Sequence, residues 1–181
     1  LPYTVDSPLN GYFPYDASKA CAEMLAKSYF MTYGLPLAIT RNANTYGPAD
    51  MNLSRIIPDV ITTLLKNEDP VIRSDGTPER DYMYIKDAVS AYLTLAENLH
   101  KKDVLGQAFN FGTGKPISVL ELYKKIISLM GRKIEPKILG QAKNEIDRQY
   151  LDSTKAKKVL GWEAKYSLDE GLKETITWYK E

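Results

Sequence analysis

Pro14-Tyr15-Asp16-Ala17-Ser18-Lys19-Ala20, then Gly34-Leu35-Pro36, then Arg41-Asn42-Ala43-Asn44-Thr45-Tyr46-Gly47-Pro48 is the stretch from which the fold can be read. From Tyr15 to Tyr33, Ala, Cys, Met and Leu recur at spacings of three and four, which predicts a helix that Gly34 ends. Leu35 to Thr40 is a short apolar run of the kind that forms a strand buried on both faces of a parallel sheet. A helix feeding such a strand predicts an α/β fold. Asn42 to Asn52 gathers Asn, Gly, Pro and Asp and reads as a loop long enough to carry function.

Outward from this stretch the α/β alternation continues. Ile56 to Lys66 reads as a helix, and Val71 to Arg73 as a short strand ended by Ser74-Asp75-Gly76. Asp87 is placed to cap a helix running to about Leu99. Phe109 to Phe111 reads as a strand leading into Gly112-Thr113-Gly114. Ser118 and Glu121 have the spacing of a capping box, and the helix they open carries Leu120, Tyr123, Ile126, Ile127 and Met130 on one face before Gly131. Ile134 to Leu139 is extended, and helices at Ser153 to Leu160 and Leu168 to Tyr179 follow, the second with Leu172, Ile176 and Tyr179 on its inner stripe. Met24, Tyr29, Tyr92, Tyr123 and Trp178 sit at helical spacing and are assigned to the core, His100 to an exposed helix end.

Composition narrows the function classes. The 181 residues suffice for one core, and 24 basic against 23 acidic side chains give a net charge of +1. No overall field draws the chain to nucleic acid or an anionic membrane. The single cysteine, Cys21, cannot form an internal disulfide, and the single histidine, His100, excludes a His-rich metal site, so no metal is expected. No apolar run reaches the ~20 residues that cross a bilayer. A cytoplasmic setting is expected, and the start at Leu1 suggests a piece of a longer protein.

Tyr15 and Lys19 lie four apart on the first predicted helix and so share a face. A lysine ammonium beside a tyrosine favours the phenolate, which is what a tyrosine base needs. Tyr82 and Lys86 have the same spacing, so spacing alone does not choose between the two pairs. Context does: Tyr15 follows Pro14 at a helix start and its helix feeds the strand ending in Arg41-Asn42-Ala43-Asn44-Thr45-Tyr46-Gly47-Pro48, whereas Tyr82 is read as ending a turn. This arrangement resembles the extended short-chain dehydrogenases that act on nucleotide sugars. Further blocks extend the resemblance over nearly the whole chain: Arg80-Asp81-Tyr82-Met83-Tyr84-Ile85-Lys86-Asp87-Ala88, Phe109-Asn110-Phe111-Gly112 with Ser118-Val119-Leu120-Glu121-Leu122, and Lys155-Ala156 with Leu160-Gly161-Trp162.

The resemblance implies roles residue by residue. Tyr15 exchanges a proton with the sugar 4-hydroxyl, and Lys19 binds the nicotinamide ribose. Asn42 approaches the nicotinamide, and Asn44 contacts substrate. For the nucleoside diphosphate, Arg80 is the phosphate ligand and Arg55 a second cation, with Ile56 and Pro58 giving an apolar face to the base, which Arg73 also meets. Arginine presents parallel donors to phosphate where lysine offers only a point charge. Where many members carry an arginine, three residues before the acidic position at Glu145, this chain has Ala142, and Lys143 or Arg148 is the candidate replacement.

The implied cofactor is NAD or NADP, yet no Gly-x-x-Gly-x-x-Gly turn that would bring amides to its pyrophosphate occurs, and Gly112-Thr113-Gly114 is too short and too late. Residues 1–70 are therefore read as the last part of a Rossmann-type doubly wound sheet, interleaved with a smaller nucleotide-sugar lobe built from residues 71–181. The implied activity is 4,6-dehydration of a nucleotide hexose: oxidation at C4, loss of water across C5 and C6, and return of hydride to C6. Tyr12-Phe13-Pro14-Tyr15-Asp16, Pro70-Val71-Ile72-Arg73-Ser74-Asp75-Gly76 and Glu145-Ile146 with Gln149-Tyr150-Leu151 look most like CDP-glucose 4,6-dehydratase. A 4-epimerase or reductase, or a fragment that binds sugar nucleotide without turnover, remains an alternative, and a homodimer is expected.

Overall fold

The structure is a computed structural model that describes residues 1–142 and 145–181. Helix α1 (Pro14–Tyr33) begins with proline, whose missing N–H costs nothing in a first turn, and ends at Gly34, whose φ of 64° lets its N–H reach the Phe30 carbonyl. Strand β1 (Ile39–Asn42) follows, then β2 (Asn44–Tyr46), α2 (Ile56–Leu65), β3 (Val71–Ile72) and β4 (Glu79–Tyr84). The chain continues through α3 (Ile85–Glu97), β5 (Ala108–Phe111), β6 (Pro116–Ser118) and α4 (Val119–Leu129). It closes with β7 (Lys137–Ile138), β8 (Arg148–Gln149), α5 (Thr154–Leu160) and α6 (Leu168–Lys180). The α/β class read from the sequence is what forms.

β1 pairs in parallel with β5, from Ile39 opposite Ala108 to Asn42 opposite Phe111. β4 joins three strands: its last half pairs in parallel with β2, and its first half pairs antiparallel with β6 and in parallel with β8. β3 and β7 form a separate parallel pair. Because successive side chains on a strand face opposite ways, β4 sends Tyr82 and Tyr84 into one core and Met83 into the other. The first core gathers Ile57, Val60 and Ile61 of α2, Leu122 and Ile126 of α4, and Leu172 and Ile176 of α6. The second holds Ala88 and Ala91 of α3 with Phe109, Phe111, Ala156 and Trp162, the last edge-on to Phe111 at 4.9 Å between ring centres.

Several expectations need correction. Of the five helical aromatics and methionines assigned to the core, only Tyr123 is buried; Met24, Tyr29, Tyr92 and Trp178 are exposed. In α1 the inward face is the one with Ala20, Glu23, Ala26 and Phe30, and Met24 and Tyr29 lie off it. The strand expected at Leu35 to Thr40 starts later and is half-buried rather than buried on both faces, since among the described residues only β5 pairs with it. Asp87 does not cap α3: buried in the first turn, it accepts the Lys165 and Tyr166 N–H groups at 2.9 and 3.1 Å and holds the approach to α6. Tyr82 lies within β4, not at a turn. The Ser118–Glu121 capping box forms, and a second at Ser167 and Glu170 opens α6. Among the described residues no helix is long and apolar enough to cross a membrane, and no group of His, Cys, Asp or Glu could hold a metal.

Candidate active site on the tyrosine helix

Tyr15 and Lys19 occupy the first turns of α1 and lie on one face, with Lys19 Nζ 5.7 Å from the centre of the Tyr15 ring. The ring is 71% exposed, so its hydroxyl is open to an incoming group. The rival pair behaves otherwise. Tyr82 belongs to β4 and Lys86 to α3, so no helix face unites them. Burial pushes the Tyr82 hydroxyl up to about 12, against the opposing effects of the Arg80 charge and the Asn44 hydrogen bond, which leaves it protonated near neutrality. Lys86 is committed elsewhere: its Nζ lies 2.6 Å from Glu174 Oε2, which also accepts the Tyr84 hydroxyl at 2.7 Å. The two pairs that the sequence left equal in spacing are thus unlike in structure.

Asn42 ends β1 and donates its side-chain N–H to the Tyr92 hydroxyl at 3.1 Å, as does the Thr40 hydroxyl at the same distance. That explains why Tyr92 is exposed yet ordered by partners: it props the strand end rather than filling the core. Asn44 opens β2 opposite Tyr82, exposed. Between β1 and α1 lies a network that sequence reasoning missed. Glu23 is buried, accepts Arg41 Nε at 2.9 Å and Nη2 at 2.7 Å, and takes Lys27 Nζ at 2.7 Å. The Arg41 hydrogen bond holds the Glu23 carboxyl below its usual range; burial opposes, and Lys27 adds to the lowering. The available signal was the continuation of the four-residue rhythm from Tyr15 and Lys19 to Glu23 and Lys27.

The cationic candidates lie on separate elements. Arg55 precedes α2 and is exposed, with Nη1 3.0 Å from Asp50 Oδ2. Ile56 is half-buried against the first core and Pro58 is buried, so of the expected apolar face only Ile56 keeps open surface. Arg73, exposed after β3, acts by its charge on Asp59 of the same α2 turn, whose carboxyl burial nevertheless raises. The Arg73 carbonyl accepts the Gln141 and Ala142 N–H groups at 2.8 and 3.1 Å, which brings Ala142 beside it. Arg80, half-buried in β4, donates to the Glu79 carbonyl at 2.9 Å. Arg148 in β8 sits opposite Glu79, with Nε 2.5 Å from Glu79 Oε2 and its guanidinium 5.0 Å from the Tyr150 ring centre. The alternation of β4 puts Arg80 on the face opposite Glu79, so Arg148 and Arg80 are not brought to one anion. Lys143 lies outside the described residues.

The glycine loop after β5 has its amides engaged. Gly112 N–H donates to Ser153 Oγ at 2.9 Å, Thr113 N–H to Asp81 Oδ1 at 3.1 Å and Gly114 N–H to Asp81 Oδ2 at 3.0 Å. Asp81 is buried and spends its carboxylate on this loop, so the loop offers no free amides to a pyrophosphate. A hollow of about 490 Å³ opens beside it, lined by Tyr150, Asp152, Lys157 and Trp162 among others. Neither Tyr15, Lys19 and Asn42 nor the arginines line it, so chemistry decides where the site lies, and volume does not. The Tyr15–Lys19 face has the pairing of phenol and ammonium that a tyrosine base needs, and no free-amide cradle for a pyrophosphate is found among the described residues.

Comparison with known proteins gives the family. The chain is 36% identical over 186 residues to the dTDP-D-glucose 4,6-dehydratase of Bos taurus, covering 97% of this chain and 50% of that protein. It is also 36% identical over 182 residues to the UDP-glucuronate 4-epimerase of Thermodesulfobacterium geofontis, covering 98% of this chain and 52% of the relative. Among solved structures, the Thermotoga maritima UDP-glucose 4-epimerase with UDP-glucose matches with a TM-score of 0.92 and 34% identity over 99% of this chain and 57% of that one. The Bacillus anthracis dTDP-glucose 4,6-dehydratase in complex with NAD matches with a TM-score of 0.88 and 31% identity, over 99% and 56%. The chain therefore spans about half the length of these relatives. With the GDP-mannose 4,6 dehydratase family model matching residues 1–175, the chain belongs to that family of nucleotide-sugar dehydratases and epimerases within the extended short-chain dehydrogenases.

Proposed function

We propose that this chain carries the catalytic tyrosine face and the sugar-nucleotide side of an NAD-dependent nucleotide-hexose 4,6-dehydratase. The observation that carries the reading is the exposed Tyr15 with Lys19 on its face, at the start of a helix in a chain of this family. Tyr15 takes the proton of the sugar 4-hydroxyl as the C4 ketone forms, and the Lys19 ammonium favours negative charge on the tyrosine oxygen. Lys19 and Asn42 also hold the cofactor's ribose and nicotinamide, with NADP the alternative cofactor. NAD, when bound, supplies the acceptor for the C4 hydride and the donor that returns it. The ketone acidifies the C5 hydrogen, so water is lost across C5 and C6. Asn44 contacts the sugar, and Arg55, Ile56, Arg73 and Arg80 take the nucleoside diphosphate, with Lys143 as the outer cation in preference to Arg148, which the strand alternation turns away from Arg80.

The division of labour is interleaved. Residues 1–70 end the cofactor-binding domain and residues 71–181 build the substrate lobe, while β5 returns to pair with β1 and α2 packs with α4 and α6. The whole protein is proposed to be a homodimer: α1 leaves Met24 and Met31, seven residues apart on one face, more than half exposed, and a second copy would cover them. Cys21 as a free thiol is compatible with the cytoplasmic setting proposed for it.

A 4-epimerase is the second reading, favoured by equal identity to relatives of both names. The full-length protein incubated with CDP-, dTDP-, UDP- and GDP-glucose separates them. A 4-keto-6-deoxy product from one of these, CDP-glucose first, supports dehydration, and a simple epimer defeats it. Because the Gly112–Gly114 amides are engaged, the 181 residues by themselves are expected to bind NAD only weakly and not to turn over. Calorimetry that finds micromolar NAD affinity for them overturns that expectation.

A further inference from the structure

α1 is unusual in how it is seated. Its one fully buried residue is an acid, Glu23, set among half-buried Ala20, Ala26 and Phe30, so the inward face is lined mostly by small side chains with a charge at its centre. At its far end Phe30 packs flat on Gly106, where even a Cβ would meet the ring at 2.3 Å. At the near end the seat is ionic. Arg41 grips Glu23 with two nitrogens, Nε at 2.9 Å and Nη2 at 2.7 Å, and its third, Nη1, donates to the Val5 carbonyl at 2.9 Å. One guanidinium thus touches the segment leading into α1, α1 itself, and β1 one residue before Asn42.

We propose that Glu23 and Arg41 are positioning residues that set α1, and with it Tyr15 and Lys19, against the Asn42 end of β1. This rests on the roles given to those three residues above. A forked arginine–carboxylate pair fixes direction as well as distance, and a buried pair holds as a unit because neither charge can be left alone. Lys19 and Tyr15 lie one and two turns from Glu23, so Tyr15 is ~12 Å along the axis from the grip. A tilt of about 5° at Glu23 moves Tyr15 by ~1 Å, and a displacement of that size can cost on the order of 100-fold in rate. Lys27, on the far side of Glu23, keeps the acid charged and paired if Arg41 shifts.

Arg41→Gln, Arg41→Lys and Glu23→Gln in the full-length protein test this, read by hydrogen exchange and by steady-state kinetics. The expected result for Arg41→Gln is exchange at Ala17 to Cys21 about tenfold faster with Leu122 to Ile127 of α4 unchanged. Its kcat should fall about 10- to 100-fold while KM for the sugar nucleotide stays within about twofold. Arg41→Lys, which keeps the charge and loses the fork, should follow Arg41→Gln, and Glu23→Gln, which keeps one acceptor, should lie between them and the parent. Unchanged exchange in α1, a general loosening that includes α4, or an unchanged kcat despite faster exchange overturns the proposal, and Glu23→Gln decides it by the same readouts if the Arg41 variants do not fold. An unaltered protein inactive on every nucleotide hexose, with α1 exchange still rising in Arg41→Gln, refutes the site reading while supporting the seating of α1.

Discussion

Exchanging phenylalanine for each of two tyrosines separates the catalytic reading from its rival, because their surroundings set opposite expectations. Tyr15 is 71% exposed and its hydroxyl makes no hydrogen bond among the described residues, so Tyr15→Phe should change stability by less than about 0.5 kcal/mol. If the hydroxyl transfers the substrate proton, the same change should lower kcat by about 10²- to 10⁴-fold in the full-length enzyme. Tyr82 is buried in β4, where the Asn44 side chain acts on its hydroxyl, so Tyr82→Phe gives up one buried polar group and should change stability by about 1 kcal/mol. Asn44 is exposed and rebinds water, which keeps the cost from rising further. The kcat of Tyr82→Phe should stay near that of the parent, since a protonated hydroxyl in a packed strand takes no proton from a substrate. Urea unfolding at constant m-value and initial rates on the accepted nucleotide hexose give the four numbers. A Tyr15→Phe enzyme within tenfold of the parent, or a Tyr82→Phe enzyme as inactive as Tyr15→Phe, refutes the assignment of the base.

Asp81 ties the Gly112–Gly114 loop to β4, so Asp81→Ala leaves two N–H groups without acceptors and should destabilise by about 2 to 6 kcal/mol. Asp81→Asn, which retains one acceptor oxygen, should cost less; a urea midpoint for Asp81→Ala equal to the parent's would show that water replaces the carboxylate freely. Glu23 has its folded value lowered by Arg41 and Lys27, so on acidification the unfolded chain binds that proton first. Its stabilisation is complete above the ordinary carboxylate range and is lost as pH falls below about 4.3 toward the lowered folded value. The stability difference between the parent and Glu23→Gln should therefore shrink as the pH falls below the ordinary carboxylate range, and a difference independent of pH would contradict the ion pair. Arg80→Ala should raise KM for the sugar nucleotide with kcat largely kept, the pattern of lost uniform binding. An unchanged KM would remove Arg80 from the phosphate site.

What was legible in the sequence, and what was not, follows from the range of each interaction. The Ser118–Glu121 box is reciprocal within four residues, so its spacing nearly defines its geometry, and the same spacing at Ser167 and Glu170 could have been read for α6. The shared face of Tyr15 and Lys19 is equally local, because the helical period alone places them together. Which side of α1 faces inward is not local. Its apolar residues mark a face without saying what covers it, so Met24 and Tyr29 read as core although they lie outside. Asp81, Asp87 and Arg41 defeated the reading for the same reason: their partners lie 32, 78 and 18 positions away, and only the meeting of β4 with the β5 loop, of α3 with the run before α6, and of β1 with α1 reveals them. Spacing therefore found the groups proposed to react, whereas the groups that hold those elements in place needed the fold. That asymmetry is what moves the positioning role to Glu23, a residue whose sequence surroundings mark it only as one more charge on a helix.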